Sequence, residues 1–213
     1  MTNGPSSPLP AAAFRRVDET SDEAFYAHPR FVTHIDDVAV AAVTQLYREL
    51  FPPGGQLLDL MSSWVSHLPP ETEYEGVTGL GMNRAELDRN PRLTQCVVQN
   101  LNAQPHLPFE ATHFDGCGIC VSIDYLTDPV AVLREVGRVL KPGAPAVITF
   151  SNRCFPTKAV AIWHALDDAG HVALVEELLR QSGGFGDIQG LDRSLPGSDP
   201  LYAVVGRALG EVL

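Results

Sequence analysis

Polar side chains that directly follow short apolar runs are this chain's candidates for chemistry, because a buried strand can hold such groups against a ligand. Asp59 lies in Gln56-Leu-Leu-Asp-Leu60 and leads into Met61, Ser62, Ser63 and Trp64. A carboxylate there can accept a hydrogen bond from an amine or hydroxyl, and the serines offer hydroxyls or open a helix whose amides face the ligand. The competing reading is structural, with Asp59 satisfying nearby backbone amides and Trp64 in the core. In Val77-Thr-Gly-Leu-Gly-Met-Asn-Arg84, Gly79 and Gly81 admit close approach to the backbone. This is no dinucleotide fingerprint: Arg84 takes the third glycine position and no ribose-binding acid follows at the expected distance, which disfavours a nicotinamide cofactor. Asn100 and Asn102 carry amides that both donate and accept, which suits an adenine edge; Leu101 and Ile123 are placed to sandwich the ring, with Ser122 beside them. Turn formation is the other use of asparagines there.

Four side chains are candidate bases: His34, His67, Asp124 and Tyr125. A histidine titrates near neutrality, which suits proton abstraction, though surface or capping roles compete with it. Tyr26 is placed to close over a ligand as an aromatic lid, with Trp64 and Asp124 on the substrate side. Arg153 offers a planar fork for a carboxylate or phosphate, or an internal salt bridge. Cys154 is a candidate nucleophile or redox thiol, or simply inert. Cys117 and Cys120 stand three apart in an apolar run, where strand geometry turns them to opposite faces, so no metal site is expected.

The elements that position these residues read from periodicity and punctuation. Thr20 and Glu23 form a capping-box pattern for a short helix over 23–30, stopped at Pro29, and helical spacing from Asp37 to Leu50 ends at Pro52-Pro-Gly-Gly55. Buried strands are expected over 56–60, 74–80, 116–122 and 145–150, with helices over 84–88, 128–140 and 171–181. Asp128 is the N-cap of the second of these, with Pro129 at its first position. Weak strands follow at 185–191 and 201–205. Alternating strands and helices imply an α/β fold around a mostly parallel sheet covered on both faces.

The chain has 213 residues, 45% of them hydrophobic and 19% charged, which fits one packed domain. Residues 1–12 read as a flexible tail and 13–213 as the domain, with 13–50 as an N-terminal helical cap. A net charge of −11 gives no broad attraction for nucleic acid or anionic membranes. No apolar run approaches the roughly 20 residues of a membrane span, no secretory signal opens the sequence, and four cysteines are no disulfide framework. The expectation is a cytoplasmic protein, monomeric or homodimeric.

One segment narrows the choice. Leu133-Arg-Glu-Val-Gly-Arg-Val-Leu-Lys-Pro-Gly143 resembles the helix and turn before the fifth strand of class I S-adenosylmethionine-dependent methyltransferases of small molecules, and Leu107-Pro-Phe109 with Phe114-Asp115 is similarly placed before the fourth. The resemblance spans about 56–150. It implies a Rossmann-like, seven-stranded, mostly parallel sheet with helices on both faces and a reversed last strand, and S-adenosyl-L-methionine lying across the ends of the first, second and fourth strands. Asp59 matches the family's methionine-gripping acid, but Met61, Ser62 and Ser63 stand where glycines are usual. Gly81, Met82 and Asn83 occupy the place of the ribose acid, so that Asn83 or Glu86 would substitute. Asn100 or Asn102 takes the adenine-reading position. Met61–His67 and 149–158 also resemble segments of uncharacterised bacterial and plant-type methyltransferase-like proteins. The resemblance implies in-line methyl transfer to a small-molecule acceptor; the alternatives are a silent binding protein of the same fold and, less well supported, a nicotinamide-dependent reductase.

Overall fold

The computed structural model describes residues 9–210. The tail expected over 1–12 therefore lies largely outside the described residues, while Ala11–Phe14 form a 3-10 turn. Along the chain run α1 (Asp22–Phe25), α2 (Asp37–Leu50), β1 (Gln56–Leu60), β2 (Gly76–Gly81), α3 (Arg84–Leu87), β3 (Gln95–Val98) and β4 (Gly116–Cys120). After them come α4 (Pro129–Val139), β5 (Pro145–Phe150), α5 (Ala161–His164), α6 (Asp168–Ser182), β6 (Phe185–Asp192) and β7 (Tyr202–Ala208).

The strands form one seven-stranded sheet in the order β3-β2-β1-β4-β5-β7-β6. β1 to β5 pair in parallel and β7 runs antiparallel to both β5 and β6, so the last strand is the reversed one. Strand alternation sends Leu58, Leu60, Ile119 and Ile148 to one face, where the apolar stripes of α4 and α6 cover them. Leu57, Val77 and Val147 go to the other, under Val43, Leu46 and Tyr47 of α2. Each such side chain taken fully from water contributes about 1.5–3 kcal/mol. On the α2 face β4 has no side chain at Gly118, and the Tyr47 ring, stacked on Phe51 at 4.7 Å, fills that gap.

Local chemistry sets the helix ends. Asp128 accepts from the Ala131 amide with Pro129 at the first helical position, as its sequence requires. The first helix departs from expectation. Its cap is Ser21, whose Oγ accepts from Ala24 N, because the Thr20 hydroxyl donates to Asp18 instead. It also stops early: Pro29 has no N–H to offer the Phe25 carbonyl, which accepts from the Arg30 guanidinium at 2.9 Å. α6 starts three residues before the expected 171, capped by Asp167. No helix opens at Ser62 and Ser63. Residues 61–75 cross from β1 to β2 as irregular chain.

Candidate functional site

A pocket of about 1200 Å³, its open mouth included, lies at the carboxyl ends of β1, β2 and β4 and just beyond β3. This is where an open parallel sheet binds ligands. Its outer wall is a strap from the N-terminal region, contributing Arg16, Asp22, Tyr26, Arg30 and His34.

Asp59 is at the pocket floor. Ser62 Oγ and Ser66 Oγ both donate to its Oδ2 at 2.6 Å. Two neutral hydroxyls only partly offset the cost of burying the charge, and the carboxyl is pushed up to about 6. Beside it the backbone is strained: Met61 (φ 58°), His67 (φ 52°) and Val121 (φ 43°) all occupy the left-handed region and all line the pocket. At Gly81 the Ser62 carbonyl lies so close that a Cβ would overlap it, so the loop after β1 is seated directly on the end of β2.

The amides that the sequence assigns to ribose and adenine are spent within the protein. Asn83 caps α3 through Oδ1, and its Nδ2 donates to the Tyr26 and Ala27 carbonyls at 2.8 and 3.3 Å. Asn102 donates to Asp22 Oδ2 and to Tyr125 O, and accepts from Thr127 N and Oγ1. Asn100 accepts from Asn102 N and gives an N–H to Glu23. Glu86 accepts from Arg30 N at 2.6 Å and Ser63 Oγ at 2.7 Å. These side chains bind the strap to the sheet.

His34 and His67 both line the pocket. Desolvation lowers the pKa of each; the charge of His34 lowers that of His67 further, while Glu86 pulls His34 the other way. Both are therefore neutral, proton-accepting imidazoles at pH 7. Tyr125 also lines the pocket, but burial and the nearby Asp124 push its phenol far up, and its oxygen accepts from Phe155 N at 2.9 Å. It keeps its proton, which removes it as a base. Tyr26 stands in the wall, its phenol likewise raised by burial. Trp64 lines the pocket with its indole N–H bonded to Val32 O at 3.1 Å. Met82, Leu101 and Ser122 complete the lining, and the buried Ser122 Oγ has no protein partner.

Five expected residues are not in the lining: Gly79, against which the Leu93 side chain packs, Cys154, Ile123, Asp124 and Arg153. Ile123 is 3% exposed within the core. Asp124 is buried, its carboxyl pushed up by desolvation to about 8, and its carbonyl is bonded to Val160 N. Arg153 is mostly exposed and lies 3.8 Å from Asp199, the internal pairing that competes with ligand binding. Arg16, Asp22, Arg30 and Gln99, by contrast, line the pocket without having been singled out. The two arginines carry no local signature, since contacts distant in sequence bring them there. Phe155 also belongs to the lining, and it lies in the 149–158 segment that carries part of the family resemblance.

Cys117 and Cys120 pack into the cores on opposite faces of the sheet, and both thiols are raised by burial, Cys120 to about 12. Among the described residues no group of three or more His, Cys, Asp or Glu side chains could hold a metal, and no helix is long and apolar enough to cross a membrane.

Residues 70–148 match the family model described as "Methyltransferase domain". Curated protein sequences give no match. Among solved structures, a chain of a complex of the Haloferax volcanii Trm112 methyltransferase activator superposes with a TM-score of 0.62 at 15% identity, covering 81% of this chain and 90% of that one. The 4+2 cyclase SpnF gives 0.57 at 16%, covering 79% and 81%. Haemonchus contortus phosphoethanolamine N-methyltransferase 2, solved with S-adenosyl-L-methionine, gives 0.57 at 13%, covering 80% of this chain and 52% of that one.

Proposed function

From a chain with the class I methyltransferase fold, matched across 70–148 to a methyltransferase domain, we propose an S-adenosylmethionine-dependent enzyme that methylates a small-molecule acceptor. The observation that carries this reading is the pocket itself. A half-buried carboxylate, Asp59, lies near the end of β1, and a buried hydroxyl with no protein partner, Ser122 Oγ, lies beyond β4 in the same lining. An orphaned hydroxyl costs stability unless a ligand satisfies it.

Asp59 would hold the cationic methionine end, Ser122 would bond a polar group of the cofactor, and Leu101 and Met82 would cover the adenosine. With Asn83 and Asn102 already saturated, Glu86 and the backbone after β2 are left to meet the ribose. When bound, the cofactor supplies an electrophilic methyl group on a sulfonium. The chain's own task is to hold the acceptor in line with that methyl and to exclude water. Tyr26 and Trp64 form that barrier. His34 and His67, neutral at pH 7, take the proton from an acceptor that must lose one. Four free cysteines fit a cytoplasmic setting.

Incubation with methyl-labelled S-adenosylmethionine and a fractionated metabolite extract tests the reading. Transfer of label to a small molecule by the wild type, abolished in Asp59→Ala, is the expected result. Cofactor binding without transfer to any fraction would leave a binding protein of the same fold.

A further inference from the structure

The pocket contains one arginine that no carboxylate answers. Arg16, the other arginine in the lining, grips Asp22 with distances of 2.8 and 3.0 Å. Arg30 forms no ion pair among the described residues. Its guanidinium gives one N–H to Phe25 O at 2.9 Å and another, at 3.5 Å, to His28 O. A guanidinium has five donors, so three are left without a protein acceptor.

Arg30 is nonetheless held in place. Glu86 Oε1 accepts from its backbone N–H at 2.6 Å. Its Cζ lies 4.6 Å from the ring centre of Phe25, 5.4 Å from that of Phe155 and 5.7 Å from that of Tyr26. Phe155 and Tyr26 line the pocket, as does His34, which meets Phe155 edge-on at 5.2 Å. A cation packed on aromatic rings is poorly hydrated and loses little freedom when its remaining donors find an acceptor. The carboxyls of the lining are answered from within: Asp22 by Arg16, Asp59 by two serines, and Glu86 by Ser63 and the Arg30 amide. That leaves one lining cation, the Arg30 guanidinium, to be balanced from outside, so a single negative charge is the better match.

Resting on the methyltransferase reading, we propose that the acceptor is a small aromatic carboxylic acid, its carboxylate bonded to the Arg30 fork and its ring against Tyr26 and Phe155. Arg30 thereby takes the anion-binding role that Arg153, outside the pocket, does not fill.

Benzoate and its neutral isostere benzamide, titrated into protein saturated with S-adenosylhomocysteine, read this directly. Benzoate is expected to bind about 10- to 100-fold more tightly than benzamide, the range of a charge-assisted pair. Arg30→Gln should erase the difference while leaving S-adenosylhomocysteine affinity within about twofold, and Arg30→Lys should retain part of it. Equal binding of the two probes, no binding of benzoate, or a preference that survives in Arg30→Gln would overturn the proposal. Failure of S-adenosylhomocysteine to bind, with the benzoate preference intact in the free protein, would sink the methyltransferase reading and keep the anion site.

Discussion

Removal from water pushes the Asp59 carboxyl up to about 6, and the hydroxyls of Ser62 and Ser66 offset that only in part. Only the ionised form attracts a cation. Affinity for S-adenosylmethionine should therefore be flat above pH 7 and weaken as pH falls through about 6, by up to about tenfold per unit. In Asp59→Asn binding should be weak at every pH and the slope absent. An unaltered slope in that variant would assign the titration to another group. The place of Asp59 in the pocket lining was legible because the crevice of an open parallel sheet lies beyond the carboxyl ends of its strands. The asparagines misled because an amide suited to reading a base is equally suited to tying down a carbonyl, as Asn83 does to those of Tyr26 and Ala27.

The strap forms the outer wall of the pocket, and a buried lysine fastens its start. Lys158, 0% exposed, donates to Thr20 O at 2.6 Å and Asp18 O at 3.3 Å and lies 3.3 Å from Asp22 Oδ1. Replacing it by Met leaves the two carbonyls without their donor and Asp22 with the Arg16 cation alone, a loss of about 3 kcal/mol. Thermal melting should show Lys158→Met well below wild type, with proteolysis of the native protein starting within residues 15–34. An unchanged melting temperature would mean the strap is held by its asparagine and glutamate contacts alone. Periodicity could not foresee the strap, since its bonds join residues about 55 to 140 positions apart. Of the two uses open to Ser62 and Ser63, the helix does not form: serines that cap helices also donate to carboxylates, and here Ser62 bonds Asp59 and Ser63 bonds Glu86. α2, α4 and β5, by contrast, were legible because buried stripes and caps are local in sequence.

At the scale of the molecule, the residues that carry the family resemblance are those that build the sheet. Arg138 of α4 donates to the carbonyls of Leu107 and Phe109 and pairs with Glu135, which accepts from Leu107 N; Lys141 grips Asp115 at the start of β4. These clamps fix the approach to β4 whatever the pocket binds, so the sequence resemblance is clearest there and thins out in the loops after β1 and β2. The same fold carries a 4+2 cyclase among its structural neighbours, and fold by itself therefore leaves the chemistry to the site. A methyltransferase with this glycine-poor, strap-covered pocket must take the cofactor there. Calorimetric titration of the purified protein with S-adenosylmethionine and S-adenosylhomocysteine at pH 7.5 tests that claim most directly. Saturable binding of both at one site with micromolar affinity, lost in Asp59→Ala, is the predicted result; no heat from either ligand, with the protein folded, would contradict it.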